Sequence, residues 1–190
     1  MAEIIAIDAD KLKDNIKALS RLDRFLKKIP EELKSGLADP FSQGLCLIGL
    51  LRAEQLLYGS DIHGSNLSLS RAILKRLVAT MKLMEAYKKK MDWDDASIFD
   101  LFTGADDAVV DFALLTRKVS FLRKAERFLQ IPFVLAAEEV MRITGRESGP
   151  ELGRILHDMR KLQFLGKIRD EKDALKWLCG RGDLRRSSVV

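Results

Sequence analysis

Cysteine and histidine are scarce, with two of each in 190 residues. Cys46 and Cys179 cannot form a disulfide framework, and neither sits in a Cys-x-x-Cys pair, which points to a reducing compartment. His63 and His157 leave little from which to build a zinc site of the usual His/Cys kind. Long hydrophobic runs are missing too. The longest strongly apolar stretch, residues 44–51, falls far short of the roughly 20 residues that cross a bilayer. The start carries no basic segment followed by an apolar one, so no secretory signal is expected and the expected location is cytoplasmic. Neither the Gly-x-Gly-x-x-Gly turn nor the P-loop pattern occurs. Aromatic residues are only 7%, and none cluster into a platform on which bases could stack.

What is abundant is aliphatic and charged: 47% hydrophobic and 32% charged residues. That balance fits one domain or two small helical lobes, burying roughly 70% of the surface the unfolded chain exposes. The 33 Lys+Arg exceed the 28 Asp+Glu, for a net charge of +5. Residues 1–141 hold 21 basic and 21 acidic side chains, whereas residues 142–190 hold 12 and 7. The whole surplus therefore lies in the last quarter, which solubility alone does not require.

The hydrophobic period is helical nearly everywhere. Leu12, Ile16, Leu19, Leu22, Leu26 and Ile29 define a first helix, with Asp8 or Asp10 as its cap and Pro30 as its stop. Asp39-Pro40 opens a second over residues 41–58, expected to be the most buried, with Cys46 as inert packing. Residues 59–66 form a polar loop carrying His63. A third helix over residues 70–91 has apolar positions Leu74, Leu77, Val78, Met81 and Met84. A short helix over 97–102 follows, then a stretch from 105 to 129 that fits two helices as well as one, breaking near Thr116. Ile131-Pro132 is a hard stop. Beyond it, Ser148-Gly149-Pro150-Glu151 reads as a capping box for a helix whose buried face is Leu152, Ile155, Leu156, Met159 and Leu162. No strand alternation or internal repeat appears. The fold class expected is all-α, with a helical body over 1–131, a helical tail-like lobe over 132–179 and a disordered end over 180–190.

Paired acids at Asp92-Trp93-Asp94 and Asp8-Ala9-Asp10 superficially suggest metal binding, but neither lies in a strand that would point both carboxylates at one ion. Asp94-Asp95 and Asp106-Asp107 read instead as helix entrances. His157 reads as a satisfied boundary histidine. No catalytic constellation and no metal site is expected. Basic residues carry more. Arg71, Lys75, Lys82 and Lys89 fall within about 40° of one another on a helical wheel, a stripe suited to phosphates or simply to solvent. Arg154 and Lys161 lie a heptad apart, with Arg160 nearby, Lys167 and Arg169 beyond, and Arg142 and Arg146 before. Gly149 and Gly153, at the start of this helix, let either a phosphate or another helix come close.

From Ile131 to Trp177 the chain resembles the C-terminal region of the bacterial CCA-adding enzymes, the tRNA nucleotidyltransferases, and of the related poly(A) polymerases. The parts are a Pro-containing lead-in, a short acidic helix ending at Gly145, the Gly149-Pro150-Glu151-Leu152-Gly153 helix start, and a final acidic helix with Ala174-Leu175. Ala137 stands where that family usually has Gly. A weaker likeness extends back to Asp39. The resemblance implies a compact multi-helix array that holds tRNA, without the catalytic head that would bind magnesium and nucleotide. No cofactor is expected in this chain. Its expected partners are tRNA and a separate or excised head domain, with no membrane. Arg142, Arg146, Gly149, Gly153, Arg154, Lys161, Lys167 and Arg169 are the expected RNA-binding residues, with Lys75 and Lys82 a second patch. The alternative is a helical protein-interaction module or split-enzyme subunit that docks on such a head without touching RNA.

Overall fold

In a computed structural model, residues 9–58, 70–89 and 92–180 are described. Among them there are nine helices and no strand: α1 (Ala9–Leu26), α2 (Glu31–Tyr58), α3 (Arg71–Lys89), α4 (Asp95–Phe102), α5 (Ala108–Thr116), α6 (Val119–Leu129), α7 (Ala137–Thr144), α8 (Pro150–Phe164) and α9 (Glu171–Gly180). The chain is all-α, as its periodicity predicts. The Asp8 cap, the 59–66 loop with His63, and residues 181–190 lie outside the described residues. Asp10 falls inside α1 rather than at its cap.

Two compact units are formed: Met1–Met91 with Leu101–Leu129, and Asp92–Asp100 with Gln130–Val190. The first is organised by α5, which packs against α2, α3 and α6. Residues 108–114 of α5 are all buried, whereas among residues 41–48, the described part of the segment expected to be most buried, Phe41, Gly44, Leu47 and Ile48 are. There Cys46 is exposed, not packed as expected. α2 is kinked at Ala38 (φ 33°, ψ −110°), just before Pro40. Pro40 cannot donate an i→i−4 bond, so the break at Asp39-Pro40 follows from the sequence. The helical turns from Glu31 to Leu37 were not foreseen. Phe102, Phe112, Phe121, Phe128 and Tyr87 meet edge-on or tilted at 5.3–5.9 Å between ring centres, a geometry that aromatic quadrupoles favour.

α3 is turned away from its expected face. Leu77, Thr80 and Leu83 are buried, while Leu74, Val78 and Met81 are 36%, 49% and 46% exposed. The cause is a polar core. Arg76 donates from Nε and Nη2 to both oxygens of Asp111, at 2.7 and 2.6 Å. It also donates to Gln43 Oε1 and to the Pro40 carbonyl, both at 2.8 Å. Thr80 Oγ1 donates to Asp111 Oδ2 at 3.2 Å. Asp111 is 1% exposed. Bringing Arg76 and Thr80 to this carboxylate fixes the rotation of α3 and leaves part of its apolar stripe outside. Gly44 is required beside the pair, because a Cβ there would stand 2.5 Å from Asp111 Oδ1.

The second unit has an apolar core of Leu135, Val140, Leu152, Ile155, Met159, Ile168, Ala174 and Leu178. Leu156 and Leu162 pack against it, so the face expected for α8 is the one buried. Phe99 reaches His157 and Phe164 at 5.4 and 5.5 Å. His157 is half-buried against that ring, in keeping with a boundary histidine. Gly145 (φ 65°) ends α7 with its N–H on the Met141 carbonyl. Gly166 (φ 70°) follows α8. Both sit in the left-handed region where a Cβ is costly. Ala137, in contrast, opens α7 after an extended Ala136, and neither residue has a positive φ that would demand glycine.

Candidate functional site

The expected site residues of the second unit lie along α7, the α7–α8 connection, α8 and the turn before α9. The capping box at the α8 start does not form. Gly149 is the N-cap residue and no side chain bonds the free N–H groups. Glu151 instead forms an ion pair with Arg146. This places a carboxylate in the first turn, where the helix dipole favours it, and partly satisfies the charge that a phosphate would meet. Around Gly149 and Gly153 there is open space: a Cβ on either would meet no atom within 4 Å. Close helix packing at Gly153, one of the two alternatives, is therefore not what the fold uses it for.

The cations divide into two groups. Arg142 is 75% exposed but paired with Glu139 at 3.3 Å. Lys161 Nζ bonds both oxygens of Asp100, at 2.7 and 2.6 Å, and is only 27% exposed. That pairing breaks the expected Arg154–Lys161 stripe, because one end is already neutralised. Arg154, Lys167 and Arg169 are exposed, and among the described residues none has a carboxylate partner for its side chain. Arg169 Nε reaches the Gly166 carbonyl at 3.4 Å, a weak tie.

In the first unit, Lys75 and Lys82 are both exposed on α3. Lys75 is 3.7 Å from Asp106, which is itself exposed. It borders a cavity of about 260 Å³ lined by small side chains, including Ala72, Ala79, Ala105 and Ala108. The two aspartates before α5 are not caps in the expected sense. Asp107 occupies the N-cap position without a side-chain cap bond and lies 3.9 Å from Arg76. Asp94 does cap, accepting from the Ser97 N–H at 2.9 Å. Burial pushes the Asp111 carboxyl above the usual carboxylate range, against the opposing pull of Arg76 and Thr80. Burial pulls the Arg76 guanidinium down, but its bond to Asp111 and the two nearby carboxylates outweigh this, and its pKa moves up.

Among the described residues, no group of three or more His, Cys, Asp or Glu is placed to hold a metal, and no helix is long and apolar enough to cross a membrane. One cationic set escaped the sequence reading. Arg21, Arg24 and Lys28 on or just after α1, with Arg117 between α5 and α6, line a cleft of about 490 Å³. Their i, i+3, i+7 spacing was readable, but the balanced charge of residues 1–141 concealed it. No family model, curated protein or solved structure matches the chain.

Proposed function

We propose that the chain is a tRNA-holding helical region of the kind found C-terminally in CCA-adding enzymes, serving tRNA 3′-end processing without being catalytic by itself. The observation that carries this reading is the α8 start. Gly149 and Gly153 face open space beside Arg154, so a phosphate can approach backbone that a larger side chain would screen. Lys167 and Arg169 add exposed charge on the turn after the same helix. The order of parts that resembles that family runs through these residues. Contact would be to phosphate and RNA shape rather than to bases. Fluorescence anisotropy of labelled tRNA against the full chain tests it. With about 4–6 phosphates engaged, log affinity against log salt should slope at roughly −3 to −5. No salt-dependent binding at low ionic strength would defeat the reading.

A second reading has its own observation. Leu74, Val78 and Met81, at i, i+4 and i+7 on α3, form an exposed apolar row beside Lys75 and Lys82. Such a row suits a protein-docking helix. Light scattering after size exclusion, alone and with a candidate head domain, separates the two readings. A complex whose formation is lost in V78D, together with no RNA binding, favours docking.

A further inference from the structure

We infer that the cleft at Arg21, Arg24, Lys28 and Arg117 binds the phosphate backbone of a nucleic acid. The inference stands on the first unit alone and does not rest on the reading of the α8 start.

Arg21, Arg24 and Lys28 lie within eight residues, seven steps that cover about 10 Å at helical rise. One phosphate cannot reach all of them, whereas a run of phosphates can. The described residues lining the cleft are these four cations with Phe25 and Val119, with no carboxylate among them. Three nearby or buried cations of this unit are paired, Lys27 with Asp23 at 2.9 Å, Lys34 with Glu31 at 2.6 Å and Arg76 with Asp111, whereas Lys82 on α3 is exposed like the cleft cations. Among the described residues, Arg24 Nε donates to the Ser20 carbonyl, at 3.3 Å, and to no carboxylate. Four like charges around one concavity repel unless an anion enters.

Arg117 is the second independent observation. It adopts a left-handed conformation (φ 54°, ψ 38°) and donates its N–H to the Leu114 carbonyl, closing α5. Glycine or asparagine would meet that conformation at less cost. The negative end of α5 explains a cation there, but not three more on another segment. The neighbouring Lys118 plays no part, since its Nζ bonds Tyr87 Oη at 2.9 Å and lies over the Tyr87 and Phe121 rings.

The chemistry of the occupant follows from what surrounds the charges. A helix that lies on a lipid surface exposes apolar side chains beside its cations. Here Phe25 is 7% exposed and Val119 is half-buried, and Ile16, the exposed apolar residue of α1, is not among the described lining residues, so the cleft itself offers little to acyl chains. An acidic peptide would lack an apolar anchor for the same reason. Nucleic-acid backbone needs none, and three of the four cations are arginines, whose planar fork matches phosphate oxygens in pairs.

The test uses the full chain and a labelled oligoribonucleotide, titrated by anisotropy over a range of salt. R21Q/R24Q/K28Q should lower the magnitude of the log–log slope by about 2–3 and weaken binding at least about tenfold at low salt. R117N, which tolerates the left-handed turn, should lower it by about 1. All four positions are exposed, and unchanged far-UV circular dichroism melts would show that folding is intact. Triple-variant binding equal to that of the unaltered chain overturns the site. So does the absence of any RNA binding, or tighter association with phosphatidylserine vesicles than with RNA. R154Q/K167Q run in parallel separates the two sites. Loss only in the triple variant keeps this site and defeats the α8 reading, and loss only in R154Q/K167Q does the reverse.

Discussion

The two units solve the problem of charge in opposite ways. The first buries it: Arg76 and Asp111 face each other across α3 and α5, with every oxygen of the carboxylate engaged. The second keeps its charges at the periphery around an apolar core, and the Lys161–Asp100 pair there is partly exposed. A buried pair fixes how helices are rotated but adds little stability over apolar residues of the same shape, while a peripheral pair is cheap to lose. The first unit is therefore specified by a polar network and the second by packing.

That contrast can be broken most sharply at Asp111. D111A strips the largely buried Arg76 of its bidentate counter-ion, leaving only Asp107 at 3.9 Å among the described carboxylates, and should cost about 3–5 kcal/mol, read by urea denaturation with circular dichroism. R76M/D111L should recover most of that loss. Trp93 and Trp177, the only tryptophans, both lie in the second unit, so their emission follows that unit. M159A, in the apolar core there, should cost about 2–5 kcal/mol through the cavity it leaves, and no second substitution of opposite charge would restore it. G44A should cost about 1–3 kcal/mol, because its methyl group meets Asp111 and Leu114. G153A should stabilise the chain by up to about 1 kcal/mol, since α8 gains a better helix former with no clash, and yet weaken tRNA binding. Smallest of all, K161A should change stability by no more than about 1 kcal/mol. The pH dependence has a definite sign. A carboxyl whose folded pKa is raised contributes most at acid pH and loses that contribution as pH rises through the folded value. The stability of the unaltered chain relative to D111N should therefore increase as pH falls through the carboxylate range.

Much of the fold was legible because apolar period and turn chemistry agree. α8 buries the face its leucines, isoleucine and methionine mark, and the break near Thr116 appears where two helices fitted. α3 was misread because hydrophobic periodicity counts only apolar residues, and two of its inward positions are Arg76 and Thr80. Their partner, Asp111, lies 35 residues further on, and no local pattern announces it. Nor does composition show that Asp92–Asp100 groups with the chain after Gln130. Among the candidate site residues, sequence named the cations but not their partners. Lys161, Arg146 and Arg142 are each held by a carboxylate, whereas Arg154, Lys167 and Arg169 carry no such pair among the described residues. The Arg21–Lys28 row has a helical spacing that is visible in the sequence, but its charge is hidden in the balanced total of residues 1–141.

The placement of α5 has a consequence for synthesis. A helix buried along residues 108–114 supplies the contacts that α2 and α3 need, and it leaves the ribosome after both. Until α5 emerges, α2 and α3 lack the helix that both pack against, and Arg76 lacks Asp111. The nascent first unit thus passes through a period of exposed apolar surface in which chaperones would engage it. Slowing translation before residue 108 should lengthen that engagement, while slowing it after residue 129 should not.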